Sequence, residues 1–167
     1  MAKEILIYSP IYDFVAENFI SQMNDAEGGD VTVRVNSPGG SVFAGWGMIA
    51  KSQEHTGNVS VKVDGNASSM AAIFLLFHKN VQALNVSTFT LHRASVAFPS
   101  EDEKKQLRAI NADIRRAFEA KLNIAEFENI SGVLIDDFFN SDEVIDVNLN
   151  AVQARQIGLI DSINELD

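Results

Sequence analysis

The sequence predicts an α/β fold built on a parallel sheet, and three observations carry the prediction. Short runs with valine at every second position alternate along the chain with stretches that are apolar at helical spacing. Two of the junctions between them are rich in glycine and serine: Asn36-Ser37-Pro38-Gly39-Gly40-Ser41 and Gly65-Asn66-Ala67-Ser68-Ser69-Met70. Each follows an alternating strand and precedes an apolar helix. Such ordering implies parallel strands joined by right-handed crossovers, with sites beyond the carboxyl ends of the strands. The 167 residues, 46% of them hydrophobic, suffice for one core and are too few for two comfortable domains, so residues 1–167 read as a single domain.

The elements follow in order. Glu4 to Tyr8 reads as a buried strand, and Asp13 to Ala26 as a helix with Val15, Phe19 and Met23 on one face, closed by Gly28-Gly29. Val31, Val33 and Val35 form the next strand. After the first glycine cluster, Phe43 to His55 is helical; Gly57-Asn58 turns the chain into the strand of Val59, Val61 and Val63. The second cluster opens a helix, Ser69 to His78, apolar almost all round and therefore buried. Thr88 to Leu91 is a further strand with His92 at its end.

From Pro99 to Asn140 the rhythm breaks, and residues from about 100 to 140 read as a helical arm. Ser100-Glu101-Asp102-Glu103 is a capping box. Leu107, Ile110, Ile114, Ala117 and Phe118 then make one narrow stripe on a helix reaching about Leu122. The stripe lies against the same subunit or against a neighbour, and the pattern fits both. The chain returns through Val144 to Val147, a helix capped by Asn150 and Gly158, and a last strand around Leu159 to Ile163.

Charge and composition exclude several classes. Asp and Glu number 23 against 13 Lys and Arg, a net charge of −10 that opposes binding to nucleic acid phosphates. There is no cysteine, hence no disulfide, thiolate metal site or cysteine nucleophile. Neither a metal nor a cofactor is expected. Met1 to Tyr8 lacks the features of a signal peptide and Met70 to Phe77 is too short to cross a bilayer, so the expected location is the cytoplasm, without membrane attachment.

The chemistry suggested by the two clusters is that of a serine hydrolase. A serine hydroxyl needs a base, an orienting acid and N–H donors for the oxyanion, and strand-to-helix junctions present both hydroxyl and donors. Of the three histidines, His55 stands at a polar helix end and reads as a surface residue, while His78 beside Lys79 reads as a helix C-terminal charge. His92 alone ends a strand on the sheet edge that carries both clusters; it is either a base or a structural histidine. Ser69 is either a nucleophile, an N-cap, or both. Gly39-Gly40 is either a plain turn or a place where a substrate backbone approaches closely.

The residues Asn36-Ser37-Pro38-Gly39-Gly40-Ser41-Val42, with Ala44-Gly45, together with Gly65-Asn66-Ala67-Ser68-Ser69-Met70-Ala71-Ala72, resemble the proteolytic subunit of the Clp proteases. The resemblance runs from about Lys3 to Asp167 and is loose between Ala94 and Ile145. It implies a ClpP/crotonase-like spiral of repeated β-β-α units and a serine endopeptidase acting on proteins or peptides from within a homo-oligomeric ring. It carries the nucleophile to Ser69, the base to His92 and the oxyanion donors to the N–H groups of Gly40 and Met70. Gly39, Ser41 and Val42 become substrate-binding residues. Upstream of Ala154-Arg155-Gln156-Ile157-Gly158 the acid falls on Asp146, a carboxylate among Val144, Ile145 and Val147 that is expected to be buried. Asp136, Asp137 and Asp142 are the competing acids.

The sequence also departs from that family. Its members carry a segment ahead of the first strand that helps dock a ring ATPase, whereas the first strand here begins near Glu4; a separate ATPase partner is left open. The chain has no Gly-x4-Gly-Lys loop of its own. Arg93-Ala94-Ser95-Val96 replaces Gln-Pro and a glycine pair, and Ile145 replaces a charged residue, both in regions used to stack two rings. These features resemble the ClpP-like proteases of phages and prophages, which process capsid or scaffold proteins during head maturation. The alternatives are a crotonase-type acyl-CoA enzyme and an inactive ring-forming scaffold.

Overall fold

Valines at alternate positions in a parallel strand bury one face and leave the other to polar side chains, and this pattern sets the sheet. The structure, a computed structural model, describes residues 1–166. Its strands are β1 (Lys3–Ile7), β2 (Val31–Ser37), β3 (Val59–Ser68), β4 (Val81–Leu84), β5 (Thr88–Leu91), β6 (Val147–Asn150) and β7 (Ser162–Asn164). The helices are α1 (Asp13–Asp25), α2 (Val42–Glu54), α3 (Met70–Leu76), α4 (Glu101–Lys121), α5 (Ile124–Ser131), α6 (Ile135–Asn140) and α7 (Ala151–Gln156). The order β1-β2-β3-β4-β7 is parallel throughout; β5 runs parallel to β3 and antiparallel to β6. This is the α/β fold with a mostly parallel sheet that the sequence predicts.

Ile5, Ile7, Val31, Val33, Val35, Val61, Val63 and Val81 are buried in one core with Phe19 and Met23 of α1, Met48 of α2 and all of α3. The opposite face carries Thr32 hydrogen-bonded to Ser60, and Arg34 donating to Asp64 at 2.8 and 2.9 Å. Parallel sheets are ordinarily covered on both faces. Here one face is open and polar.

β3 is the longest strand, and on the edge away from β2 it serves two neighbours. Val61–Val63 pair with β4, whereas Asn66–Ser68 pair with β5. The split occurs where the β2–β3 register shifts, from Val35↔Val63 to Ser37↔Ala67. Asn36 accepts from the Asn66 N–H and Asn66 donates to the Ser37 carbonyl, filling the hydrogen bonds that the bulge leaves open. The end of β3 is thereby steered away from the main sheet.

In the arm, the capping box at Ser100 and Glu103 starts α4 as expected. Its seam closes within the chain: Ile114 and Phe118 have no exposed surface, and Phe118 packs against Phe127, Phe138 and Phe139 with ring centroids 5.4–6.0 Å apart. Leu107, Ile110 and Ala117 are only partly covered.

Several boundaries differ from the sequence expectations. β4 has no counterpart among them, because four residues flanked by Lys79-Asn80 and Asn85 are too short to display a period. The last strand starts at Ser162, since Leu159 and Ile160 are buried where the chain wraps the end of α7 through Gly158 at φ +83°. The return segment becomes β6 only at Val147, and its last residue, Asn150, caps α7 in a capping box. Among the described residues no helix is long and apolar enough to cross a membrane.

Candidate active site

Ser69 lies one residue beyond β3 and one before α3, with φ 57° and ψ −125°. A non-glycine residue held at positive φ costs on the order of 1–3 kcal/mol, and such strain gathers at functional turns. Its N–H is anchored on the Thr90 carbonyl at 2.8 Å, and its own carbonyl accepts from Ala72 and Ile73 at the start of α3. The hydroxyl makes no capping hydrogen bond, although Ser69 occupies the N-cap position. Ser68 differs: its hydroxyl donates to Asn66 at 2.7 Å. Of the two adjacent serines, only Ser69 keeps an unengaged hydroxyl at the helix start.

The first glycine cluster lies directly against this turn. A Cβ on Gly39 (φ +88°) would stand 2.7 Å from the Met70 nitrogen, 2.7 Å from the Ser69 Cβ and 2.5 Å from the Ser68 carbonyl oxygen. Only glycine fits there. Gly40 is held to Ile11 in an isolated bridge, with Ile11 N–H donating to Gly39 and Ser41 N–H donating to Ile11, each at 2.8 Å. Those bonds flank Gly40 and leave its own N–H unused. Among the described residues neither the Gly40 nor the Met70 N–H has a hydrogen-bond acceptor. Ser41 turns its hydroxyl back to cap α2, accepting from Ala44 at 3.2 Å, and Val42 opens that helix.

The sheet brings the other two residues to the same edge. The β5–β6 ladder ends at the pair Leu91–Val147, and His92 and Asp146 are the residues that flank this end of it, one on each chain segment and both outside the ladder. Ser68 pairs with Thr90 in the β3–β5 ladder, so the Ser69 turn lies beside the His92 end of β5. Thr90 and Asn148 tie β5 to β6 by a side-chain hydrogen bond of 2.8 Å. The hydrogen bonds of a closed triad are not formed. The His92 Nδ1 donates to the Arg93 carbonyl at 2.7 Å. Asp146 is exposed, contrary to the expected burial: β6 begins only at Val147, so the carboxylate sits at the open strand end and not under the sheet. Of the competing acids, Asp136 is ion-paired with Arg115 on the arm and Asp142 lines a cavity there.

A cavity of about 340 Å³ adjoins the site, with Gly40, Ser41 and Val42 on one wall and Ala94, Ser95 and Val96 on the other. Leu107 and Ile110 of α4 floor it, which employs the partly covered end of the apolar stripe. The Ala94–Val96 wall escapes the sequence because it carries no periodic or turn signal. A larger cavity of about 670 Å³ is bordered by Arg93, Arg108 and Arg115; neither cavity is lined by Ser69, His92 or Asp146, and the smaller one meets the site through Gly40.

The remaining histidines serve elsewhere. His55 is half-buried and donates through Nε2 to the Gly29 carbonyl. His78 is not a charged helix cap: it is 4% exposed, donates through Nδ1 to the Phe74 carbonyl and accepts at Nε2 from Ser52. Burial, with a smaller contribution from the nearby Lys121 charge, overcomes the favourable Phe74 hydrogen bond and brings its pKa down to about 4.

Comparison with known proteins gives one consistent picture. Residues 1–167 match the family model described as Clp protease. An ATP-dependent Clp protease proteolytic subunit of Bacteroides fragilis is 26% identical over 170 residues, covering 98% of this chain and 79% of that protein. The subunit of the same name from Bacteroides thetaiotaomicron is 32% identical over 80 residues, 46% of this chain and 36% of that protein. The chloroplastic proteolytic subunit 3 of Arabidopsis thaliana is 28% identical over 166 residues, 95% of this chain and 52% of that protein.

Proposed function

From a chain that belongs to the Clp protease family and is a serine-type peptidase, we propose a mechanism in which Ser69 is the nucleophile, His92 the general base and Asp146 the acid. The observation that carries it is the strained turn at Ser69, with a free hydroxyl beside two N–H groups that have no acceptor. The Ser69 Oγ attacks the scissile carbonyl while its proton passes to the His92 Nε2, the ring nitrogen left to accept in the neutral tautomer whose Nδ1 donates to the Arg93 carbonyl. The oxyanion forms between the Gly40 and Met70 N–H groups, where one such donor is worth about 10²–10³ in rate. Collapse breaks the C–N bond, and His92 returns the proton to the leaving amine. Water then hydrolyses the acyl-enzyme by the same route. The Asp146 carboxylate, which flanks the same end of the β5–β6 ladder as His92, stabilises the imidazolium.

The substrate is an extended polypeptide lying between Gly40–Val42 and Ala94–Val96. Members of this family assemble into oligomeric rings, and a homo-oligomeric ring is proposed here. The departures at Arg93–Val96 and Ile145 favour a capsid or scaffold protein of a phage or prophage as the natural substrate.

Labelling with a fluorophosphonate probe, followed by mapping of the modified residue, tests the reading. The expected outcome is modification of Ser69, lost together with peptide cleavage in Ser69→Ala, while Ser68→Ala is far milder because that hydroxyl is already tied to Asn66. His92→Ala should fall to background and Asp146→Asn should be strongly impaired, by several orders of magnitude for a triad member. Labelling elsewhere overturns the assignment. Acyl-CoA turnover without labelling would indicate the crotonase-type alternative, and no reaction of either kind an inactive scaffold.

A further inference from the structure

We propose that Asn111 is a positioning residue that sets the tautomer of His92 by holding the peptide between Arg93 and Ala94. The proposal rests on the role of His92 given above. β5 ends at Leu91, and residues 92–99 have no strand partner. A side chain takes the place of one. Asn111 of α4 accepts from the Ala94 N–H through Oδ1 at 2.7 Å and donates from Nδ2 to the Ala94 carbonyl at 3.0 Å. Both bonds go to one residue, as they would across a strand ladder.

The Ala94 N–H and the Arg93 carbonyl belong to the same planar peptide. No cis peptide bond occurs among the described residues, so the two groups point in opposite directions. Fixing the N–H on Asn111 therefore aims the Arg93 carbonyl the other way, and there it meets the His92 Nδ1 at 2.7 Å. A carbonyl oxygen can only accept, so the Nδ1 carries the hydrogen and the Nε2 presents its lone pair. This is the tautomer a base acting through Nε2 requires. The far side of the same residue is pinned as well, since the Arg93 guanidinium donates to the Ser141 carbonyl at 3.1 Å. Asn111 itself interrupts the apolar stripe of α4 between Ile110 and Ile114. An amide at that position gives up burial of an apolar side chain and gains the two bonds to Ala94.

The test is the ring-nitrogen chemical shifts of protein labelled with ¹⁵N-histidine, which report the tautomer without reference to activity. With three histidines in the chain, His92→Ala assigns the signal. The wild type should show His92 with hydrogen on Nδ1. Asn111→Leu, of similar volume and without either hydrogen bond, should move it to a mixture of tautomers and lower kcat by roughly tenfold to a hundredfold, with a smaller change in KM. Asn111→Asp keeps the acceptor for the Ala94 N–H, and should recover most of the wild-type tautomer and rate. An unchanged tautomer in Asn111→Leu overturns the proposal, as does a wild type with hydrogen on Nε2. A tautomer that responds as stated in a protein without peptidase activity would sustain the positioning role and sink the proposed base instead.

Discussion

Ser68 and Ser69 are neighbours with different fates, because one hydroxyl closes a local hydrogen bond to Asn66 and the other is carried past the strand end at positive φ. Gly39 makes that possible by leaving empty the volume a side chain would need. Gly39→Ala should therefore abolish or nearly abolish peptide cleavage: the new methyl overlaps the Met70 nitrogen and the Ser69 Cβ, and φ +88° strains any other residue. Single-turnover acylation measurements would show the loss in the chemical step. His78 makes a different prediction, about acid stability. Its folded pKa is about 4 against an ordinary value near 6.5, so between those values the unfolded chain binds more protons and stability falls as pH falls. The contribution is fully present above about pH 6.5 and lost by about pH 4, on the order of 3 kcal/mol in all. Urea denaturation at pH 7 and pH 4.5 should show a smaller acid loss in His78→Asn than in the wild type.

At the scale of elements, the arm is where a sequence pattern and its physical use diverge most. The stripe on α4 suggests a surface for lying against something; the structure divides it. Ile114 and Phe118 close a core with Phe127, Phe138 and Phe139, whereas Leu107 and Ile110 face the cavity beside the site. Phe118→Ala should cost about 3–5 kcal/mol of stability, read from the denaturation midpoint, whereas Leu107→Ala should chiefly raise KM. An unaltered midpoint for Phe118→Ala would mean that the aromatic cluster is not packed as described. The parallel strands and both strand-to-helix junctions were legible because alternation and glycine clusters are local signals. β4, the split of β3 and the exposure of Asp146 were not. β4 is too short to show a period, while the split of β3 and the exposure of Asp146 depend on which strand lies next to which, and a single chain read in order carries no such information. Asn111 left a trace, an amide in an apolar stripe, but its meaning depends on the distant Ala94.

For the molecule as a whole, the open polar face of the sheet and the exposed aromatic side chains of Tyr12, Phe14 and Phe43 are surfaces that an assembly would cover. Light scattering at micromolar concentration should give a multiple of the 18.3 kDa chain mass, and a monomer mass with full peptidase activity would rule out the ring. β3 has a further consequence. Its amides are bonded on both sides, to β2 and to β4 or β5, and the Ser69 amide is held by Thr90, whereas Ser95 and Val96 have no such ladder. In native-state hydrogen exchange, Val61, Val63 and Ser69 should exchange only through global unfolding, and the 95–96 amides through local opening. The Ser69 turn and the Ala94–Val96 wall of the neighbouring cavity then belong to different cooperative units. A bound polypeptide would displace the yielding wall while the Ser69 hydroxyl stays held at the end of β3.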